Sequence, residues 1–107
     1  MTRAKFGDTY LDVIAERIRR EVPSRAMPDD KNTIPLFRMY AVLLIALGAA
    51  VTADDVHNAW VCWMLAEDPG HPALVPYSQL PRSVAAQDDD YVAAIRAVAS
   101  KVANQER

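Results

Sequence analysis

Cysteine, glycine and net charge are all scarce in this chain, and each scarcity removes a class of explanation. Cys62 is the only cysteine among 107 residues. It has no partner for an intrachain disulfide, which excludes a disulfide-stapled scaffold and fits a reducing cytoplasm. Because it sits inside an apolar helical pattern, it reads as a buried, inert thiol. With three glycines, 51% hydrophobic and 24% charged residues, the chain is globular rather than fibrous or disordered. A formal net charge of -2 and a pI near 5.6 supply no basic stripe for a phosphodiester backbone, so duplex nucleic acid is not an expected partner.

Long apolar runs are missing as well. The most apolar stretch, Tyr40 to Val51, is interrupted by Gly48 and preceded by Arg38. It falls short of the roughly 20 residues that span a bilayer, so it reads as a core helix and no membrane association is expected. The positively charged start, Met1 to Asp8, has no apolar core of signal-peptide length behind it; secretion is not indicated. The two histidines, His57 and His71, lack helix-pair spacing and complete no zinc ligand set with one cysteine. Ser78, Ser83 and Cys62 have no recognisable base or nucleophile elbow, and no glycine loop cradles phosphate. No cofactor is called for, and the chain is not expected to be an enzyme.

What is present fits one domain over residues 1–107, since the length allows one modest core and not two. Thr9 and Asp12 have the spacing of a variant capping box, and Leu11, Ile14 and Ile18 form an apolar stripe, predicting a first helix over 9–21 that Pro23 ends. Its other face, Asp12, Glu16, Arg19 and Arg20, reads as solvated, with Glu16 and Arg20 in the favourable i,i+4 order. Pro23 to Asn32 reads as a surface connection. Thr33 then caps a second helix with Pro35 in its first turn and Leu36, Met39, Tyr40, Leu43 and Leu47 at helical spacing. Gly48 marks its end or the close approach of a neighbour. Thr52 and Asp55 open a third helix to about Ala66, with Val56, Trp60 and Trp63 on one face. A last helix starts near Asp88-Asp89-Asp90 and runs through Val92, Ile95, Val98 and Val102.

Between the last two helices lies the most informative stretch. Asp68-Pro69-Gly70 is a turn, and His71-Pro72-Ala73-Leu74-Val75-Pro76-Tyr77 follows. Its prolines remove backbone donors and forbid helix, while Leu74, Val75 and Tyr77 seek burial. A rigid apolar strap over the helix bearing His57 and Trp60 is one way to build a small pocket. The expected architecture is mainly α: a single small domain of three to four helices with one long extended, proline-containing segment.

His57-Asn-Ala-Trp60 together with His71 to Leu80 resembles the ryanodine-receptor repeat domain, which shows a His-x-x-Trp helix and a His-Pro-x-Leu-Val-Pro-Tyr-x-x-Leu segment. A polar residue eight positions on is typical there, and Asp88 stands at that place. The resemblance covers about residues 28–98. The chain is also similar to short actinobacterial and actinophage proteins of unassigned function. Met64 replaces the arginine usual in the repeat, and its Gly-Trp-x-Tyr-Gly turn is absent.

The resemblance implies non-enzymatic binding of a small adenine-nucleotide-derived ligand, as a sponge or sensor of a nucleotide defence signal, with His57, Trp60 and Asp88 as contacts. It also implies a homodimer, by analogy with tandem repeats. Tyr40 and Tyr77 could edge the pocket or simply pack. Arg38 and Arg82 are the cations nearest by sequence context for a phosphate. Other readings stand beside these. Trp60 can be core rather than platform, Trp63 and His71 read as structural, and the Asp88 to Asp90 run can be a solvated helix start. A protein-interaction adaptor is the alternative function. A nucleotide-cleaving enzyme with His57 as base and Asp88 as its orienter is the remote one.

Overall fold

The expected Thr9–Asp12 capping box is present and decides where the first helix begins. In the computed structural model, which describes residues 6–27 and 32–105, helix α1 spans Tyr10–Glu21. The Thr9 hydroxyl accepts from the Asp12 backbone N–H, and the Asp12 carboxylate accepts from the Thr9 N–H. Asp12 itself departs from the solvated face predicted for it: it is 2% exposed. Capping turns its carboxylate toward the start of the helix, where Arg38 arrives from the second helix and donates from Nε and Nη2, each at 2.8 Å. The Thr9 hydroxyl and Arg38 hold the Asp12 carboxyl well below its usual range, at about 2. Buried charge is tolerable here because its acceptors are satisfied. Glu16 and Arg20 do pair on the surface, at 2.8 Å.

Helix α2 spans Ile34–Leu47 with Pro35 in its first turn. Thr33 already has helical torsions and makes no side-chain cap; Asn32 Oδ1 accepts from the Ile34 N–H instead, at 3.2 Å. Thr33 holds the N-cap position as predicted, but the side chain that accepts there is that of the residue before it. Leu36, Phe37, Tyr40, Ala41 and Leu44 are buried, and α2 packs against α1 and both later long helices. Gly48 ends it with φ +56, the left-handed conformation glycine adopts without penalty. After a 3-10 turn, buried Val51 offers its carbonyl to Arg96 Nε and Nη2 at 3.2 and 2.8 Å.

Helix α3 spans Ala53–Glu67 behind a second capping box, Thr52 with Asp55. Val56 and Trp63 enter the core, and Trp63 Nε1 donates to the Asn32 carbonyl at 3.1 Å. Trp63 is structural, as expected. Cys62 is exposed, not buried: each helical residue rotates by roughly 100°, which takes Cys62 off the Val56–Trp63 face. Residues 71–80 form no α-helix, as the prolines require, but they bend rather than run straight. The His71 N–H donates to the Asp68 carbonyl, the Leu74 N–H to the His71 carbonyl, and a 3-10 turn covers Tyr77–Gln79.

An unpredicted one-turn helix α4, Arg82–Ala85, follows Pro81 and passes through a 3-10 turn, Ala86–Asp88, into α5, Asp89–Gln105. Val92, Ile95 and Val98 of α5 are buried. Phe37, Tyr40 and Tyr91 form an aromatic cluster with ring centroids 5.4 to 6.3 Å apart. Ser24–Ala26 form a 3-10 turn within the expected surface connection; residues 28–31 of that connection, and 1–5 of the positively charged start, lie outside the described residues. The fold is mainly α, with no strand among the described residues, and none of its described helices is long and apolar enough to cross a membrane.

Candidate functional site

Helix α3 brings His57 and Trp60 to one side because residues three apart share a helix face. The bent 71–80 segment closes over them, the α4–α5 junction supplies Asp88, and α2 supplies Tyr40. Together with His71, Leu80, Asp90, Tyr91 and Arg25 these line a half-open cavity of about 470 Å³, within the range of small-molecule sites.

His57 anchors the cavity wall. It is 2% exposed, and its Nε2 lies 2.6 Å from the Val75 carbonyl oxygen. A carbonyl can only accept, so Nε2 carries the hydrogen and donates it. The other nitrogen, Nδ1, faces Asp88 Oδ2 at 3.8 Å. The imidazole stacks on Trp60 with centroids 5.6 Å apart and planes 20° apart, while His71 meets the indole edge-on at 5.0 Å. His71 Nδ1 accepts from the Ala73 N–H at 3.0 Å, which shapes the turn. It therefore serves structure, as expected, and also lines the cavity.

Asp88 is the deepest carboxylate in the wall. Burial pushes its pKa up to about 6, against the opposing pull of His57, with Asp89 adding to the rise. Tyr91, raised to about 12 chiefly by burial, donates its hydroxyl to the Ala26 carbonyl and so fixes the Ser24–Ala26 turn at the rim. Burial likewise raises Tyr40 well above the ordinary phenol value, with Tyr91 and Asp88 adding to it.

Of the six residues expected at a site, Tyr40, His57, Trp60 and Asp88 line this cavity. Tyr77 stands beside it, its ring centroid 6.1 Å from that of His57. Arg38 belongs elsewhere: its guanidinium is held by Asp12, and neither it nor Arg82 is in the lining. Sequence reading missed Tyr91, Asp90 and Arg25. Tyr91 carried a usable signal, since it follows Asp88 by three residues at the opening of a helix. Arg25 carried none, because only the folded connection brings it to Asp90, at 3.3 Å.

Residues 9–100 match the family described as a domain of unknown function, DUF7701. The chain belongs to DUF7701. That match replaces the ryanodine-receptor repeat as its family, and with it goes the two-fold analogy behind the expected dimer. No curated protein and no solved structure matches the chain.

In this DUF7701 chain the two motifs that suggested the repeat have a local physical meaning. His57 ties α3 to Val75, and the Trp60 indole stacks on the His57 ring and meets the His71 ring edge-on. They join a helix to a proline-bent segment, a packing solution that carries no particular ligand with it. The His57–Asp88 pair has the reverse order of a histidine base held by a carboxylate. The Val75 carbonyl lies off one imidazole nitrogen and Asp88 off the other, at 2.6 and 3.8 Å, and the carboxylate lines the cavity. No group of three or more metal-ligating side chains gathers among the described residues.

Proposed function

We propose that this DUF7701 chain binds a small planar-ring molecule, of the adenine-base kind, in the cavity beside Trp60 and holds it without turnover. The observation that carries the reading is that Trp60 and Asp88 line the same cavity. An indole is worth about 1–3 kcal/mol as a stacking platform for a base, and a carboxylate accepts from an exocyclic amine. Non-enzymatic binding is supported by the tethering of His57 Nε2 to Val75, which leaves that nitrogen unable to take a proton from a ligand.

Of the nucleotide expected from the sequence, the base suits the cavity better than the phosphate. Arg25 is the one Lys or Arg side chain among the described lining residues, and it is bonded to Asp90. A phosphate charge about 6 Å from Asp88 would be repelled by nearly 3 kcal/mol at an effective dielectric near 20. That is as large as the stacking gain.

Thermal stabilisation across adenine, adenosine, AMP and cyclic oligonucleotides tests the reading, since a ligand at 100 times its Kd adds about 2.7 kcal/mol. Adenine or adenosine should raise Tm more than AMP, the shift should vanish in Trp60→Ala, and the ligand should be recovered intact. If no compound shifts Tm, the cavity is not a ring site, and the adaptor reading takes precedence.

A further inference from the structure

We propose that the preferred ligand of this cavity is a compact ring-bearing cation, in the class of N-alkylated or protonated aromatic amines. The inference rests on the ring-binding reading above and narrows it by charge. The charges in the wall differ in depth. The Asp88 side chain is 15% exposed and that of Asp90 34%, whereas Arg25 is 75% exposed and spends its guanidinium on Asp90 at the rim. The inner end of the cavity therefore presents a carboxylate that no described arginine or lysine answers.

The two imidazoles do not neutralise it by a hydrogen bond. His57 Nδ1 stands 3.8 Å from Asp88 Oδ2, outside hydrogen-bond range. His71 Nδ1 is an acceptor for the Ala73 N–H, so it holds a lone pair rather than a proton. The same cavity is lined by the rings of Tyr40, Trp60 and Tyr91. Aromatic faces are negative and attract cations, indole most strongly. A neutral ring gains stacking from this wall and an anion is repelled by it. A ring cation gains stacking, attraction to the ring faces and an ion pair with Asp88.

The test is isothermal titration with three planar compounds of nearly one shape: 1-methylnicotinamide, a cation; nicotinamide, neutral; and nicotinate, an anion. The cation should bind roughly tenfold or more tighter than nicotinamide, with nicotinate undetectable. In Asp88→Asn the roughly tenfold advantage of the cation over nicotinamide should disappear, and a cooperative thermal unfolding transition certifies that the variant is folded. Should that variant not fold, the order of the three compounds on the wild-type chain decides alone. Equal binding of cation and neutral compound overturns the charge rule, as does tighter binding of nicotinate or no binding of any of the three. Adenosine stabilisation that persists in those cases leaves the ring site standing and removes only its preference for cations.

Discussion

His57 and Asp88 face each other across the junction of α3 with the turn before α5, Nδ1 and Oδ2 3.8 Å apart, while the opposite nitrogen of the same ring donates to the Val75 carbonyl. One buried ring is thus bonded to the proline-bent segment and stands beside the carboxylate in the cavity wall. Removing it should cost twice, through an unpaired Val75 carbonyl and through a void beside Asp88. His57→Ala is expected to destabilise the fold by about 2–4 kcal/mol. Gln at this position can place an amide N–H near the site of Nε2, so His57→Gln should recover part of the loss. Urea denaturation of the three proteins checks this, and equal stability of the two variants would mean that the Val75 bond contributes nothing.

The two perturbed carboxylates should bend the pH profile of stability in opposite directions. Asp88 rises from 3.8 to about 6 on folding. Between those values the folded state keeps a proton that the unfolded state has released, so stability falls as pH rises from about 4 to 6 and this effect levels off above. Asp12 drops from 3.8 to about 2. Its stabilisation is complete above the unfolded value and is lost as pH falls from about 4 to 2. Together they place their joint optimum near pH 4. Denaturation at about pH 2.5, 4 and 7 should show Asp88→Asn losing the decline on the neutral side and Asp12→Asn losing the one on the acid side.

Much of this fold was legible because its signals are local. Thr9 with Asp12, Thr52 with Asp55 and the left-handed Gly48 each depend on residues within one turn, and all three mark boundaries in the structure. Non-local partners were not legible. Nothing near Asp12 announces that Arg38, 26 positions away, will bury it, and a lone arginine beside an apolar helix reads as readily as a phosphate ligand. The cavity was half visible: His57 and Trp60 share a helix face, and Asp88 stood out by position. The wall from Arg25 and Tyr91 depends on a connection whose path periodicity cannot encode. The family resemblance went astray on the same point, since a motif that packs a helix on a bent segment has the same spacing whether or not a nucleotide sits beside it.

The two tryptophans separate structure from binding. Trp63 is buried and holds Asn32 at the start of α2, whereas Trp60 is half-buried at the cavity wall. Trp63→Ala should cost about 3–5 kcal/mol, and Trp60→Ala about 1–2 kcal/mol while abolishing ring-ligand stabilisation. Calorimetric Tm with and without adenosine distinguishes them. A Trp60→Ala protein that still responds to the ligand would move the site away from this wall.

Cys62 offers the most direct check on the orientation of α3. Its neighbour Trp63 is 4% exposed while Cys62 is exposed, so the helix turns its apolar face inward between two consecutive residues. An accessible thiol should react fully with Ellman's reagent in native buffer, as fast in the folded chain as after denaturation to within a few-fold. Cys62→Ser should leave stability within about 0.5 kcal/mol, because no core contact is lost. A thiol that reacts only once the chain unfolds, or a serine variant that loses several times that amount, would require α3 to be rotated about its axis. Such a rotation would also carry His57 away from Val75, so the outcome bears on the cavity as well as on the cysteine.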